Sequence, residues 1–319
     1  MKTSVVIATY DLRRLDDLKA AVDSLRCQTD APCEIIVAVD RNPELVVRVA
    51  SEIPSVKVVT NSEHPGAGGA RNSGAAVAAG EFLAFLDDDA IAAPDWIERI
   101  EAAFADPRVL GVGGLIEPLW LSDPPPWFPP EFGWVVGCSY TGLPRTRATV
   151  RNVIAANMAI RRELFEAVTG FRRAYGKRGG RSEPEETELC IRTGRTWPER
   201  RWLYDPAIRV QHRVPPARGR VAYFLCRCLD EGIGKASLAG FVGSGEALAQ
   251  ERAYVRHVLP LGVADGVRES VRSRDPRGLL RAGAIVTGCV VTAAGYSSAR
   301  ARARLAVPAA ARNPLYAVT

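Results

Sequence analysis

Four times within the first 105 residues, a short run of apolar residues is followed by a stretch with helical spacing. The runs are SVVIAT at 4–9, CEIIVAVD at 33–40, VKVVTN at 56–61 and FLAFLD at 82–87. After the first, Leu15, Leu18, Ala21, Val22 and Leu25 recur at helical intervals. After the second, PELVVRVASEI places a proline in the first turn of a helix. GGARNSGAAVAAG follows the third and is expected to run as a helix ending near Gly80; APDWIERIEAAFAD follows the fourth. This alternation predicts an α/β fold with a mostly parallel sheet and helices on both faces. In such sheets ligands gather at the carboxyl ends of the strands. Tyr10 and Asp11 stand at the end of the first run, Asp40 at the second, and Asp87, Asp88 and Asp89 at the fourth.

Beyond VLGVGGLIEP the alternation breaks. Residues 118–150 are rich in proline, tryptophan and glycine, and the aromatic residues Trp120, Trp127, Phe128, Phe132 and Trp134 predict an ordered insert rather than a linker. NVIAANMAI reads as a strand, RRELFEAVTGF as a helix, EPEETELCIRTGR as a helix with acidic residues in its first turn, and RWLYDPAIRVQH as a closing strand. From Pro216 onward the pattern is helical. The division expected is a catalytic-type domain over 1–215, with halves at about 1–117 and 118–215, and a helical extension over 216–319.

The net charge of +6 is unevenly spread. Residues 213–319 hold 16 Lys and Arg against 7 Asp and Glu, so the rest of the chain is slightly acidic. The basic extension suits an anionic surface. Its apolar run at 283–295, flanked by Arg281 and by Arg300, Arg302 and Arg304, is shorter than the roughly 20 residues a spanning helix needs, and reads as a buried or interfacial helix. The seven cysteines are irregularly spaced and the N-terminus lacks a secretory pattern, which together predict a reducing, cytoplasmic setting, peripheral to a membrane where the extension touches one. Interleaved aromatics of the nucleic-acid-binding kind are absent from the basic third, so no nucleic-acid partner is expected.

Three segments carry chemistry. In LDDDA, Asp87 and Asp89 are two apart at a strand end, and a pair of carboxylates beside a diphosphate suits Mg²⁺ or Mn²⁺. A solvated acidic turn is the plain alternative. In HPGAGGARNSGAA, glycines permit backbone N–H groups to approach an anion and Arg71 adds a cation; a glycine-rich turn is the alternative. In EPEETEL, Glu183, Glu185, Glu186 and Glu188 crowd together, which suits a general base or merely a helix start favoured by negative charge.

Taken together, SVVIATYD, CEIIVAVD, HPGAGGARNSGAA, FLAFLDDDA, ANMAIRRELFEAVTGF and EETEL resemble the family 2 glycosyltransferases of the GT-A fold over about residues 3–214. The resemblance implies an inverting transfer of a sugar from a nucleotide-sugar donor, most often a UDP-sugar. By that resemblance, Thr9, Tyr10 and Asp11 hold the nucleotide base, Asp40 lies near base or ribose, and Arg71 and Asn72 contact the nucleotide. Asp87 and Asp89 would be the metal ligands, Asp88 would reach ribose or sugar, and His212 would reach the metal or diphosphate. Glu186 would be the base with Glu185 second, although Glu-Glu replaces the Glu-Asp of many members. The insert and extension resemble the subgroup acting on polyprenyl-phosphate-linked sugars, including glucosyl-dolichyl phosphate glucuronosyltransferases, which implies a carbohydrate or lipid-linked acceptor. Transfer to a soluble acceptor, nucleotidyl transfer, and an inactive sugar- or nucleic-acid-binding module are the competing readings.

Overall fold

The computed structural model describes residues 2–172, 184–243 and 248–306. Two compact units are formed, one by residues up to Pro125 with Pro130–Gly219, the other by Pro126–Pro129 with the chain from Arg220 onward.

Among the described residues, the first unit is built on a nine-stranded sheet. Its N-terminal part is β1 (Thr3–Thr9), α1 (Leu15–Arg26), β2 (Glu34–Val39), α2 (Pro43–Glu52), β3 (Lys57–Thr60), α3 (Ala67–Ala75) and β4 (Phe82–Asp87). Strands β3, β2, β1 and β4 lie in that order and all pair in parallel. The apolar runs of β1, β2 and β4 are buried on both faces, as the continuous sequences require, while the edge strand β3 stays partly exposed: Val5, Val6, Ile7, Ile36, Val37, Leu83 and Phe85 have no exposed surface. Helix α2 starts as its sequence predicts, with the Asn42 side chain accepting from Leu45 N and Pro43 in the first turn.

The remainder of the sheet is mixed. It contains β5 (Ala90–Ala92), α4 (Trp96–Ala103), β6 (Val109–Trp120), β7 (Ala148–Val150), β8 (Asn157–Arg161), α5 (Arg162–Ala167), α6 (Glu185–Thr196) and β9 (Arg201–Val214). Strand β8 joins β4 and β6 in antiparallel register, β6 and β9 are parallel, and β5 and β7 add to β9 antiparallel. The glycine-rich β6 is a 12-residue strand to which the sequence pattern assigns no element, the alternation breaking after VLGVGGLIEP. Its glycines are demanded by neighbours: a Cβ on Gly111 would fall 2.2 Å from the Trp202 ring, and one on Gly114 only 1.9 Å from the Ile208 carbonyl. The expected strand at NVIAANMAI shortens to β8, and α3 stops at Ala75, five residues before Gly80. The insert is ordered, with Phe132 buried and its ring 5.4 Å from that of Trp134.

The second unit is helical among its described residues. It comprises α7 (Val221–Val242), α8 (Ala249–Ala253), a π-helical turn (Tyr254–Val258), α9 (Leu259–Ser273) and α10 (Arg277–Ala306). Trp127 and Phe128 belong to it, both edge-on to the buried Phe224 of α7. Helix α10, at 30 residues, is more than twice as long as the apolar run that marks it in the sequence.

Candidate active site

The acidic turn LDDDA forms because β4 ends at Asp87 and β5 begins at Ala90, leaving Asp88 and Asp89 in the turn between them. Strand β9 then fixes what faces this turn. Ala90 is in register with His212, and Arg213 N donates to the Asp89 carbonyl at 2.9 Å. Asp87, Asp89 and His212 thereby converge, each offering one ligand atom within 4.8 Å of the others. His212 Nε2 stands 3.0 Å from Asp89 Oδ1 and 4.0 Å from Asp87 Oδ2. Gly137, at φ +85°, leaves the space the imidazole occupies, since a Cβ there would approach His212 Cε1 to 3.1 Å.

Two arginines absent from the sequence-predicted set complete this corner. Arg14 extends from the 3₁₀ turn after β1 and forks across two carboxylates, Nη1 to Asp88 Oδ1 at 2.5 Å and Nη2 to Asp89 Oδ2 at 2.6 Å. Arg218 adds a contact to Asp89 Oδ2 at 3.2 Å. Nothing in the spacing of Leu12–Arg14 singled out Arg14; the only signal is a cation immediately after a strand whose neighbour ends in three acids. Asp88 is 2% exposed and has both oxygens engaged, the second by the Thr9 hydroxyl at 2.7 Å. Burial pushes the Asp88 carboxyl up to about 7, against the pull of Arg14 and Thr9. At Asp89 burial works in the same direction but is overcome by His212, Arg14 and Arg218, which hold the carboxyl well below its usual range.

Arg71 links the acidic turn to α6. Its buried guanidinium donates to Asp87 Oδ1 at 2.8 Å and to Glu185 Oε1 at 2.6 Å, and it lies 5.7 Å from the centre of the Phe171 ring. Gly68 makes that approach feasible, because a Cβ on it would fall 2.5 Å from Glu185 Oε2. The glycines of GAGGARNSG serve close packing: Gly69 lies against the His64 carbonyl and Gly74 against Val6. Glu186 is half-buried at the start of α6, close enough for its charge to act on Arg71. Glu183 lies outside the described residues.

The structure brings together Thr9, Arg71, Asp87, Asp88, Asp89, Glu185, Glu186 and His212, and leaves the other predicted residues around them. Asn72 is spent on the chain: its amide donates to the Phe171 carbonyl at 2.8 Å and accepts from Phe171 N at 2.9 Å. Asp40 accepts from Asn61 Nδ2 at 2.6 Å and Gly66 N at 2.8 Å, tying β2 to the glycine-rich loop. Asp11 caps the turn after β1 through Arg13 N and pairs with the Arg13 guanidinium, which lowers its pKa. Tyr10 is 53% exposed, an available aromatic face at the strand end.

The donor set fits a hard to borderline divalent cation: two carboxylate oxygens and one imidazole nitrogen. His212 is not a fully satisfied core histidine, since its buried Nδ1 has no partner among the described residues.

A sheet with this carboxylate corner defines a GT-A glycosyltransferase. A mannosyltransferase from Pyrobaculum calidifontis, solved with GDP-Man and Mn²⁺, matches with a TM-score of 0.56 and 17% identity over 91% of this chain and 86% of that one. TarS of S. aureus, solved with UDP, matches with a TM-score of 0.50 and 14% identity over 96% and 92%. The family model for glycosyl transferase family 2 matches residues 4–169, and the chain belongs to that family. A glucosyl-dolichyl phosphate glucuronosyltransferase from Haloferax volcanii is 31% identical over 276 residues, covering 85% of this chain and 87% of the relative.

Proposed function

We propose that this glycosyltransferase moves a sugar, with inversion, from a UDP-sugar to a hydroxyl of a polyprenyl-phosphate-linked glycan, assisted by Mn²⁺ or Mg²⁺. The observation that carries the reading is the convergence of Asp87, Asp89 and His212 beside the acidic start of α6. These three would hold the cation, which as a Lewis acid would neutralise charge on the departing diphosphate. Arg14 and Arg218 grip Asp89 Oδ2, so Oδ1 is the oxygen left facing His212. Tyr10 offers a stacking face to the base, and Asp40 keeps the adjacent loop in place.

Glu186 is the base in this reading. Glu185 is committed to a buried ion pair with Arg71, whereas Glu186, one residue on, is half-buried. A carboxylate at that place takes the proton of the acceptor hydroxyl as it attacks the anomeric carbon, and the diphosphate leaves from the opposite face. The lipid-linked acceptor is supported by the Haloferax relative, whose name specifies a dolichyl phosphate. Mn²⁺ is supported by the Pyrobaculum mannosyltransferase, solved with GDP-Man, and UDP by TarS.

The test is a donor screen with each divalent ion, followed by Glu186→Gln. That variant is expected to lose about 10²–10⁴-fold in kcat with donor KM little changed. Asp89→Ala is expected to abolish the UDP-dependent binding of Mn²⁺ read by electron paramagnetic resonance. Equal turnover in chelator and in Mn²⁺ would remove the cation from the mechanism. Transfer to a free oligosaccharide, with none to its polyprenyl-linked form, would replace the acceptor by a soluble one.

A further inference from the structure

The helical unit carries an apolar surface that its own packing does not use. Helix α10 contains Arg277, Arg281, Arg300, Arg302 and Arg304 and no acidic residue, and nothing charged lies between Ala282 and Ala299. One face is covered within the unit: Ala282 and Ile285 are buried, and Gly295 meets the Leu229 carbonyl of α7. The other face exposes Leu279, Val286 and Val290, each more than half accessible and spaced by seven and four residues, with Leu280 beside them.

By length and composition this helix could cross a bilayer, with mean hydropathy 1.5 over an 18-residue window of which 28% is buried. Its neighbour argues otherwise. Helix α7 lies along it so closely that Gly232 meets the Thr292 carbonyl and Leu229 meets Gly295. Within those same turns α7 carries Arg227, Asp230, Glu231 and Lys235. A hydrocarbon layer enclosing the middle of α10 would have to enclose these four charges as well. The compatible arrangement is a helix lying flat, its apolar stripe in the boundary between headgroups and acyl chains.

We propose that the Leu279, Val286 and Val290 face of α10 docks in the plane of an anionic phospholipid bilayer, drawn there by the net positive charge of the helical unit. Charge selects this occupant: residues 220–319 hold 14 Lys and Arg against 7 Asp and Glu, a surplus that complements an anionic surface although Arg277 and Arg281 already face Asp275 and Glu269, while a second copy would bring two such surfaces together. The inference rests on the lipid-linked acceptor reading for its purpose, but its test requires no sugar transfer.

The full chain is floated with phosphatidylcholine vesicles with and without phosphatidylglycerol, in parallel with Val286→Asp/Val290→Asp and with Arg300→Gln/Arg302→Gln/Arg304→Gln. Expected are co-flotation with the anionic vesicles, about tenfold weaker partition of the valine variant, and loss of the lipid preference in the arginine variant. Circular dichroism and donor hydrolysis are expected to be unchanged. Should the aspartates impair folding, Val286→Ser/Val290→Ser gives the same comparison. The proposal is overturned by absence of flotation, by undiminished partition of the folded valine variant, or by carbonate-resistant insertion into membranes, which would mean a spanning helix. A dimer that the valine variant dissociates, without any vesicle binding, would make the face a protein interface instead. Absence of donor hydrolysis with intact flotation would sink the transfer reaction and leave the membrane surface standing.

Discussion

The two units solve opposite problems. In the sheet unit, apolar side chains disappear and charges are buried with them: Asp88, Asp89, Arg71, Glu185 and Glu188 are all below a tenth exposed, and each is held in an ion pair, that of Glu188 with Arg192. In the helical unit charges stay mostly outside, while Leu261, Val271, Leu279, Val286 and Val290 are more than half exposed. Burying a charge is expensive unless it is paired, and leaving large aliphatic groups in water forfeits their main contribution to folding. The first cost is met where the chemistry is, the second where a surface is offered. The contrast teaches that the sheet unit's liabilities concern ionic partners and the helical unit's concern contact area.

Removing a partner from the buried network should have the largest effect. Arg14→Met leaves Asp88 with only the Thr9 hydroxyl and takes one of the guanidinium groups from Asp89. Breaking a buried pair from one side costs about 3–5 kcal/mol. The loss should appear as a lower urea midpoint with unchanged slope. A shift below about 1 kcal/mol would show the acidic turn to be supported without Arg14, and the proposed contrast between units would fail at its strongest point.

The helical unit should instead respond to volume. A Cβ on Gly232 would sit 2.0 Å from the Thr292 carbonyl, whereas Gly240, on the same helix, has nothing within 4 Å. Gly232→Ala is expected to destabilise by about 1–3 kcal/mol through forced separation of α7 and α10. Gly240→Ala is expected to stabilise by up to about 1 kcal/mol, the helix-propensity difference. Both are read by chemical denaturation. Equal effects at the two glycines would mean that the close helix contact is not a constraint.

The same physics decides what was legible in the sequence. Strands β1, β2 and β4 announce themselves because both faces are buried, which writes each as an unbroken apolar run ending in a polar residue, whereas the partly exposed edge strand β3 carries Lys57 within its run. Asp87 and Asp89 were readable as a candidate cation pair because they close an apolar strand, and the structure sets His212 beside them; Glu186 was marked only by the family resemblance, since acids opening a helix also serve its first turn. Strand β6 was not readable, because its glycines answer to Trp202 and Ile208, residues about 90 positions away in the chain. Nor were Arg14 and Arg218, whose roles follow from the placement of the turn they grip. Asn72 was marked by its motif neighbours, whereas its bracing of the backbone at Phe171, a residue 99 positions away, was not readable. The length of α10 was hidden because arginines and small residues extend the helix beyond its apolar run without marking its ends.

The smallest effect is the most discriminating between the units. Val286 and Val290 are 52% and 62% exposed on α10, while Val6 in β1 has no exposed surface. If the stripe is a docking surface rather than part of the core, Val286→Asp/Val290→Asp should leave thermal stability nearly unchanged, within about 0.5 kcal/mol for each surface position. The same replacement at Val6 would place an unpaired carboxylate at the centre of the parallel sheet, with loss of the folded chain as the expected outcome. Melting curves in buffer and with anionic vesicles separate the possibilities. Vesicles should raise the apparent Tm of the wild type, because only the folded face binds them, and should not raise that of the valine variant. A marked loss of stability in buffer would show that the stripe is already covered within the protein, and the opposition between a unit built on buried charge and one built on exposed apolar surface would no longer hold.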